Sequence, residues 1–287
     1  MELTRIEPSD VAMTAVLAVV CTVIACTLGL SPALGLHAAL LAGFVLLLAG
    51  VALGKVPRWV TVLASVFLVV TLYTSVGQLS FVVQGRDWDA LLSSLDHRLF
   101  GIDQAHLFDG WISRAGVELM SFFYLLHLAS IYIALGVHAL RTRDAHRERF
   151  LFGLVMTYGV SYLLYLLVPA HGPVAHHAAE YAAPLQGYRI HRVMQQVVDA
   201  GGGAIGAFPS LHVGGTLFLF LFDLRHDRFR AATYWPVVIG VALSTSYLRF
   251  HYVVDWIGGA AVAGLAILVT PGVSAAWERL RAPKVSR

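Results

Sequence analysis

Eight stretches of predominantly apolar residues, near 11–30, 33–54, 59–82, 115–140, 150–169, 208–224, 233–250 and 252–272, leave this chain few ways to fold. About 20 residues of helix cross the hydrocarbon core of a bilayer, where every backbone amide must find its partner within the segment. The pattern predicts an all-α polytopic membrane bundle of about eight transmembrane helices. The sixth and seventh runs are short or polar at their ends, which leaves seven spans as the alternative. Only 13% of the 287 residues are charged and 58% are hydrophobic, against about 25% charged in a soluble domain. No basic segment precedes the first run, where Glu2 and Glu7 flank Arg5, so it reads as a retained span rather than a cleaved signal.

Basic residues orient the spans, because lysine and arginine concentrate in cytoplasmic connections. Arg5, Lys55, Arg58, the segment Arg141 to Arg149, the run Arg225 to Arg230 and the tail from Arg279 to Arg287 hold 14 of the 20 lysines and arginines. One topology places all of them inside, with both termini cytoplasmic and the connections 83–114 and 170–207 outside. This predicts a multi-pass protein of the plasma (inner) membrane. His212 and His251 then fall at the same extracytoplasmic face. The net charge of +3 is accounted for by these anchors. No basic stripe is interleaved with exposed aromatics, so no nucleic-acid partner is expected. Cys21 and Cys26, five apart in the first run, read as packing residues rather than a disulfide.

The polar residues divide the chain unevenly. Residues 1–82 are plain membrane spans. Residues 83–114 carry Trp88 and Trp111, with Leu91, Leu92, Leu95 and Leu99 at helical spacing, as in an amphipathic helix lying in the interface. Residues 115–287 form the core that holds nearly every intramembrane histidine, tyrosine and serine, followed by a cytoplasmic tail. Gly201-Gly202-Gly203 permits a sharp turn into the sixth run. Such a loop could also cradle phosphate, but a flexible turn is the simpler reading.

Two polar interruptions stand out, Phe208-Pro209-Ser210-Leu211-His212 and His251-Tyr252-Val253-Val254-Asp255. Ionisable groups are costly in lipid. Residues four apart on a helix share a face, so Asp255 can hold one nitrogen of His251 and leave the other free to attack phosphorus. His212 could protonate a departing alkoxide. Ser210 and the amides beginning the sixth span could grip phosphate oxygens, though Ser210 could equally cap the helix, and Pro209 suits a first helical turn. Arg249 is a charge partner for phosphate, or else snorkels to the interface.

These residues resemble the type-2 phosphatidic acid phosphatase superfamily, whose motifs have the forms K-x6-R-P, P-S-G-H and S-R-x5-H-x3-D. Pro209-Ser210-Leu211-His212 resembles the second, with Leu211 for glycine. Ser244-Thr245, His251 and Asp255 resemble the third, with Thr245 where arginine would stand. The spellings, with Leu95-Asp96-His97-Arg98-Leu99-Phe100-Gly101, Phe122-Phe123-Tyr124-Leu125-Leu126-His127 and Pro169-Ala170-His171-Gly172-Pro173, are similar to the inositol phosphorylceramide synthase-like branch and its bacterial relatives. The resemblance covers about residues 90–270. It implies a six-helix-type phosphatase core and a phosphohistidine intermediate, with His251 as nucleophile, Asp255 orienting it and His212 as acid and base. It implies no metal and no cofactor. The phosphate-binding candidates are Ser210, Arg249, His171, Gly172 and Ser244. The family's Lys and Arg-Pro pair is missing, and Arg249, His171, Arg189 or Arg192 would have to compensate. The histidines His171, His176, His177 and His191 lack the carboxylate spacing of a metal site.

The expected function is therefore that of a lipid-phosphate phosphatase or phosphotransferase, with water or a hydroxyl as acceptor; the motifs do not separate the two. The rival is a non-catalytic protein that binds or transports lipid head groups. A serine hydrolase using Ser210 would need a G-x-S-x-G elbow, which is absent here.

Overall fold

Proline and serine mark where the first helices begin. Pro8 opens α1 (Pro8–Leu28), Ser31 caps α2 (Pro32–Ala52) by accepting from the Leu34 amide, and Pro57 precedes α3 (Arg58–Gln84). The computed structural model describes residues 6–141, 144–203 and 205–282. After α3 come α4 (Asp89–Phe100), a 3-10 turn (Asp109–Trp111), α5 (Arg114–Arg141), α6 (Asp144–Leu167), α7 (Pro173–His176) and α8 (Arg189–Ala200). The last three helices are α9 (Leu211–His226), α10 (Arg228–Tyr247) and α11 (Val253–Arg281). No strand occurs among the described residues, and the fold is the expected polytopic helical bundle.

Helices occupy all eight expected places, but six of them, α1, α2, α3, α5, α6 and α11, are long and apolar enough to cross a membrane. The expected sixth and seventh spans fall short of that measure. α9 has 16 residues, a length of about 24 Å. α10 has 20 residues but begins with Arg228 and Arg230 and ends in Ser244-Thr245-Ser246-Tyr247. α9 packs against α5, α6, α10 and α11, so protein rather than lipid surrounds much of it and full apolarity is not required. α11 continues through Pro271 to Arg281 instead of ending near 272.

The bundle is organised around α6. Its membrane-crossing stretch is 72% buried, against 22–44% for the other five, and it packs on α1, α3, α9 and α11. Phe150, Leu154, Tyr158, Tyr162 and Tyr165 carry it through the core. α9 and α11 meet backbone to backbone. A Cβ on Gly259 would stand 2.3 Å from the Ser210 carbonyl oxygen, and one on Gly214 would stand 3.0 Å from that of Gly259. Small residues at such a crossing let helices approach where lipid supplies no hydrophobic drive between them.

The two ends of the bundle differ in chemistry. At one end Arg58 is held by Asp10 at 2.7 Å and Glu148 at 3.0 Å, Arg281 pairs with Glu7 at 2.9 Å, and Arg230 binds both oxygens of Asp223 at 2.6 Å. The basic residues used to orient the chain belong to this end, except Arg5, Arg143, Lys284, Arg287 and the side chain of Arg141, which lie outside the description. The other end carries α4, α7, α8 and both motif histidines. Cys21 and Cys26 are free thiols.

Gly259→Ala should force the α9–α11 crossing apart and cost about 1–3 kcal/mol, as overpacking does. Gly264→Ala meets open space and should change little. Thermal unfolding of both variants in detergent checks this, and equal midpoints would contradict the close crossing.

Candidate active site

The last turn of α10 and the first of α11 build the site. Thr245 carbonyl accepts from the Phe250 and His251 amides at 2.8 and 3.1 Å, and Ser246 Oγ donates to the His251 carbonyl at 2.9 Å. Arg249 turns the chain with φ of 67°, a left-handed conformation uncommon for a side chain of its size. Thr245, at the position where the family's arginine would stand, accepts from Trp256 Nε1 at 2.9 Å and ties α10 to α11.

His251 is buried in this connection, outside both helices. Its Nδ1 lies 2.8 Å from the Ala207 carbonyl oxygen and 3.3 Å from Asp255 Oδ2. Two acceptors facing Nδ1 require the proton there, which leaves the Nε2 lone pair free. Burial pushes the imidazole down to about 4, while the Ala207 hydrogen bond acts in the opposite direction. The expected pairing with Asp255 is present but not through a shared helical face, since His251 precedes α11. Asp255 is in the first turn, and its Oδ2 accepts the Tyr252 amide at 2.9 Å, so the carboxylate caps the helix and reaches back to the imidazole.

His212 sits in the first turn of α9, its ring 5.6 Å from that of His251, between centroids, and inclined at 63°. Ser210, fully buried, caps α9 by accepting from the Val213 amide at 3.4 Å, and its own amide donates to the Asp255 carbonyl at 3.0 Å. Pro209 thus precedes the cap rather than opening the helix. The Ser210 link fixes the start of α9 against the start of α11, and hence His212 against His251.

The remaining candidates lie around this pair with their polar groups engaged. Ser244 Oγ donates to the Val241 carbonyl at 2.7 Å within α10. The Arg249 guanidinium lies 3.7 Å over the Tyr181 ring and donates to the Ala183 carbonyl at 3.2 Å. The His171 ring stacks on Phe81. Gly172, with φ of 90°, presses against Phe250, where a Cβ would stand 2.1 Å from the carbonyl oxygen. Arg189 and Arg192 are exposed on α8.

Three carboxylates not counted as site residues hold these segments. Asp89 accepts the His171 and Gly172 amides at 2.9 and 2.7 Å and the Tyr252 hydroxyl at 3.1 Å. Asp96 accepts the Val253 and Val254 amides, both at 2.8 Å, together with Gln104 Nε2 at 2.7 Å. Glu118 accepts the Tyr188, Ile190 and His191 amides where α8 begins. The sequence carries a signal for the first two. Asp89, Leu92 and Asp96 share a helical face with the spacing i, i+3, i+7, and all three are buried.

Behind His212, an apolar cavity of about 350 Å³ opens between α3, α5, α6, α8 and α9, lined among others by Tyr73, Tyr124, His127, Ile131 and Tyr158. Its size is within the range of ligand sites.

Asp96→Ala should leave the first α11 amides without acceptors, costing about 1–3 kcal/mol for each buried unpaired group. Both the unfolding midpoint and turnover should fall, whereas Leu91→Ala on the exposed face of α4 should alter neither.

A PA-phosphatase related-family protein of Dictyostelium discoideum is 22% identical over 221 residues, 64% of this chain and 40% of that protein, so the chain spans well under half of that relative. No solved structure matches the chain. The profile of the PAP2 superfamily matches residues 90–269, from α4 into α11 and across His127, His212, His251 and Asp255. On that match, which takes in more than half of its length, the chain belongs to the PAP2 superfamily.

Proposed function

We propose that the protein transfers the phosphoryl group of a membrane lipid phosphate through a phosphohistidine on His251. The observation that carries this reading is the His251 ring, held through Nδ1 by Ala207 and Asp255, with Nε2 unbonded among the described residues and His212 beside it. Membership of the PAP2 superfamily supports phosphatase-type chemistry. In the first step the Nε2 lone pair forms the N–P bond, the P–O bond breaks, and His212 gives its proton to the departing alkoxide. In the second, His212 takes the proton of an acceptor hydroxyl, whose oxygen attacks phosphorus and releases His251. Water as acceptor makes the protein a phosphatase; a lipid or polyol hydroxyl makes it a phosphotransferase of the inositol phosphorylceramide synthase-like kind.

The apolar cavity beside His212 supports a lipid as the substrate class. Ser210, Ser244, His171, Gly172 and Arg249 border the phosphate position in this reading. Since their polar groups already have partners within the chain, Arg249 is the one that a phosphate could draw away at the least cost, from an aromatic face and one carbonyl. The charged end of the bundle, rich in arginine, supports a cytoplasmic assignment for that end and an extracytoplasmic one for the site.

Incubating the purified protein with a panel of lipid phosphates, with and without polyol acceptors, and analysing products by mass spectrometry tests this reading and separates hydrolysis from transfer. His251→Ala should abolish turnover and the acid-labile phosphoenzyme, and Asp255→Asn should reduce turnover by at least about 100-fold while the protein still folds. A fully active His251→Ala variant would sink the mechanism. A pH series reports on the nucleophile when the substrate is p-nitrophenyl phosphate, whose leaving group needs no acid, once the rates are corrected for the substrate's own second ionisation, at about 6. An imidazole lowered to about 4 stays neutral, and so nucleophilic, from pH 8 down to pH values near 4. Phosphoenzyme formation should therefore lose half its rate near pH 4; a midpoint at the free-histidine value of about 6.5 would contradict the burial of His251.

A further inference from the structure

The two motif histidines are supported unequally. His251 has a carbonyl and a carboxylate on Nδ1, whereas no hydrogen bond reaches the ring of His212 among the described residues. His212 is held by ring contacts with Tyr124 at 4.2 Å and His127 at 4.6 Å. His127, on α5, is 4% exposed. Its Nε2 lies 3.3 Å from the Tyr158 hydroxyl, its Nδ1 is buried without a well-aligned hydrogen bond, and the His212 backbone carbonyl lies beside the ring. A buried imidazole with an idle nitrogen is costly, and an apolar side chain of similar shape would pack there more cheaply.

The neighbouring helix is bare at this place. Gly215 lies one turn beyond His212 on α9, and a Cβ there would stand 2.8 Å from His127 Cε1 and 3.0 Å from Tyr158 Oη. The pair on α5 and α6 is therefore packed directly against the α9 backbone beside the acid–base histidine.

We propose that His127 is the positioning residue for His212, a neutral counterpart of what Asp255 is to His251. With Nε2–H donating to Tyr158 Oη, the His127 Nδ1 lone pair accepts from the far N–H of His212. That nitrogen of His212 carries a proton in both steps, so the near nitrogen alone gives a proton to the leaving alkoxide and takes one from the acceptor. The rings are tilted by 45° with centroids 4.6 Å apart, so His212 must turn and draw back by about half an ångström to align the hydrogen bond, as catalytic contacts commonly adjust when substrate binds. The inference rests on the phosphohistidine reading for its role in turnover.

The titratable groups facing this pair are Tyr124 on α5, Tyr158 and Tyr162 on α6, Tyr73 on α3 and His251 in the α10–α11 connection. None of these tyrosines loses its proton below about pH 8, so changes below that pH report on the histidines.

The test compares His127→Leu, His127→Asn and Tyr158→Phe with the parent protein. His127→Leu should lower kcat by about 100-fold with KM unchanged, move the kcat limb of His212 to lower pH, and slow phosphoenzyme breakdown. Phosphoenzyme formation from p-nitrophenyl phosphate should proceed at the parent rate, so the intermediate accumulates. His127→Asn, whose amide oxygen can accept, should recover most of the loss, and Tyr158→Phe should show a smaller loss in the same direction. Unchanged kcat, pH limb and intermediate lifetime in His127→Leu would overturn the proposal, as would a loss that tracks thermal destabilisation and is not recovered by asparagine. A substrate-free readout is the titration of His212 by 15N NMR in histidine-labelled protein. A fall in its midpoint in His127→Leu supports the coupling even if the parent forms no phosphoenzyme, an outcome that would remove the phosphohistidine reading instead; an unmoved midpoint overturns the coupling itself.

Discussion

The first amides of α11 have no partners inside their own helix, and the Asp96 carboxylate, 2.8 Å from both Val253 and Val254, supplies them. A helix start buried at this depth cannot turn to bulk water, and an acceptor bearing negative charge also matches the positive end of the helix dipole. The candidate site hangs from that anchor. The start of α11 fixes Asp255, Asp255 reaches His251, and the Asp255 carbonyl holds the Ser210 amide that begins α9 and places His212. Asp89 does the same for the His171–Gly172 amides and Glu118 for the start of α8. Three carboxylates from outside the helices and turns they serve thus replace the solvent that a soluble enzyme would use at the same places.

The opposite end of the bundle follows a different rule. There the carboxylates of Asp10, Glu148 and Asp223 meet arginines, Arg58 and Arg230, and only Asp10 also accepts a backbone amide, that of Glu7. Partly buried pairs of this sort gain little over apolar packing yet are expensive to break one partner at a time, so they pin the helices in register more than they stabilise them. Between the ends, α6 supplies a column of tyrosines, two of whose hydroxyls find partners within the bundle, Tyr158 with His127 and Tyr162 with the Val69 carbonyl. Among the described residues, the His127 nitrogen shares its lack of a partner with His37 Nε2 on α2 and Asp255 Oδ1, and of the two histidines only His127 lies beside His212.

Much of this was legible in the chain. Apolar runs of bilayer length located every long helix, and the leucines of 83–114 located α4, because burial in lipid imposes a period that sequence records directly. Span count was less legible. α9 and α10 owe their polarity to protein neighbours, and sequence does not show who those neighbours are. The spacing of four between His251 and Asp255 suggests a shared helical face, whereas the cap from Asp255 back to the Tyr252 amide, three positions earlier, produces the contact. The closest partner of His251, the Ala207 carbonyl, left no trace because backbone acceptors have no residue type. Ser210 could be read as ligand or as cap, and its hydroxyl is engaged as a cap. Asp89 and Asp96 were readable in principle, being two acids on the inward face of an otherwise leucine-rich helix, but a surface helix in an interface gives acids an easier explanation.

The Asp96 contact joins residues 157 positions apart. A ribosome delivers α4 to the membrane long before α11 exists, so Asp96 must wait at the interface until α11 has been inserted. Assembly of the candidate site is thereby tied to the arrival of α11. A nascent chain that stalls before the α10–α11 connection holds His212 but neither His251 nor the amides that would seat it. The two halves of the site stay apart until that helix is in place.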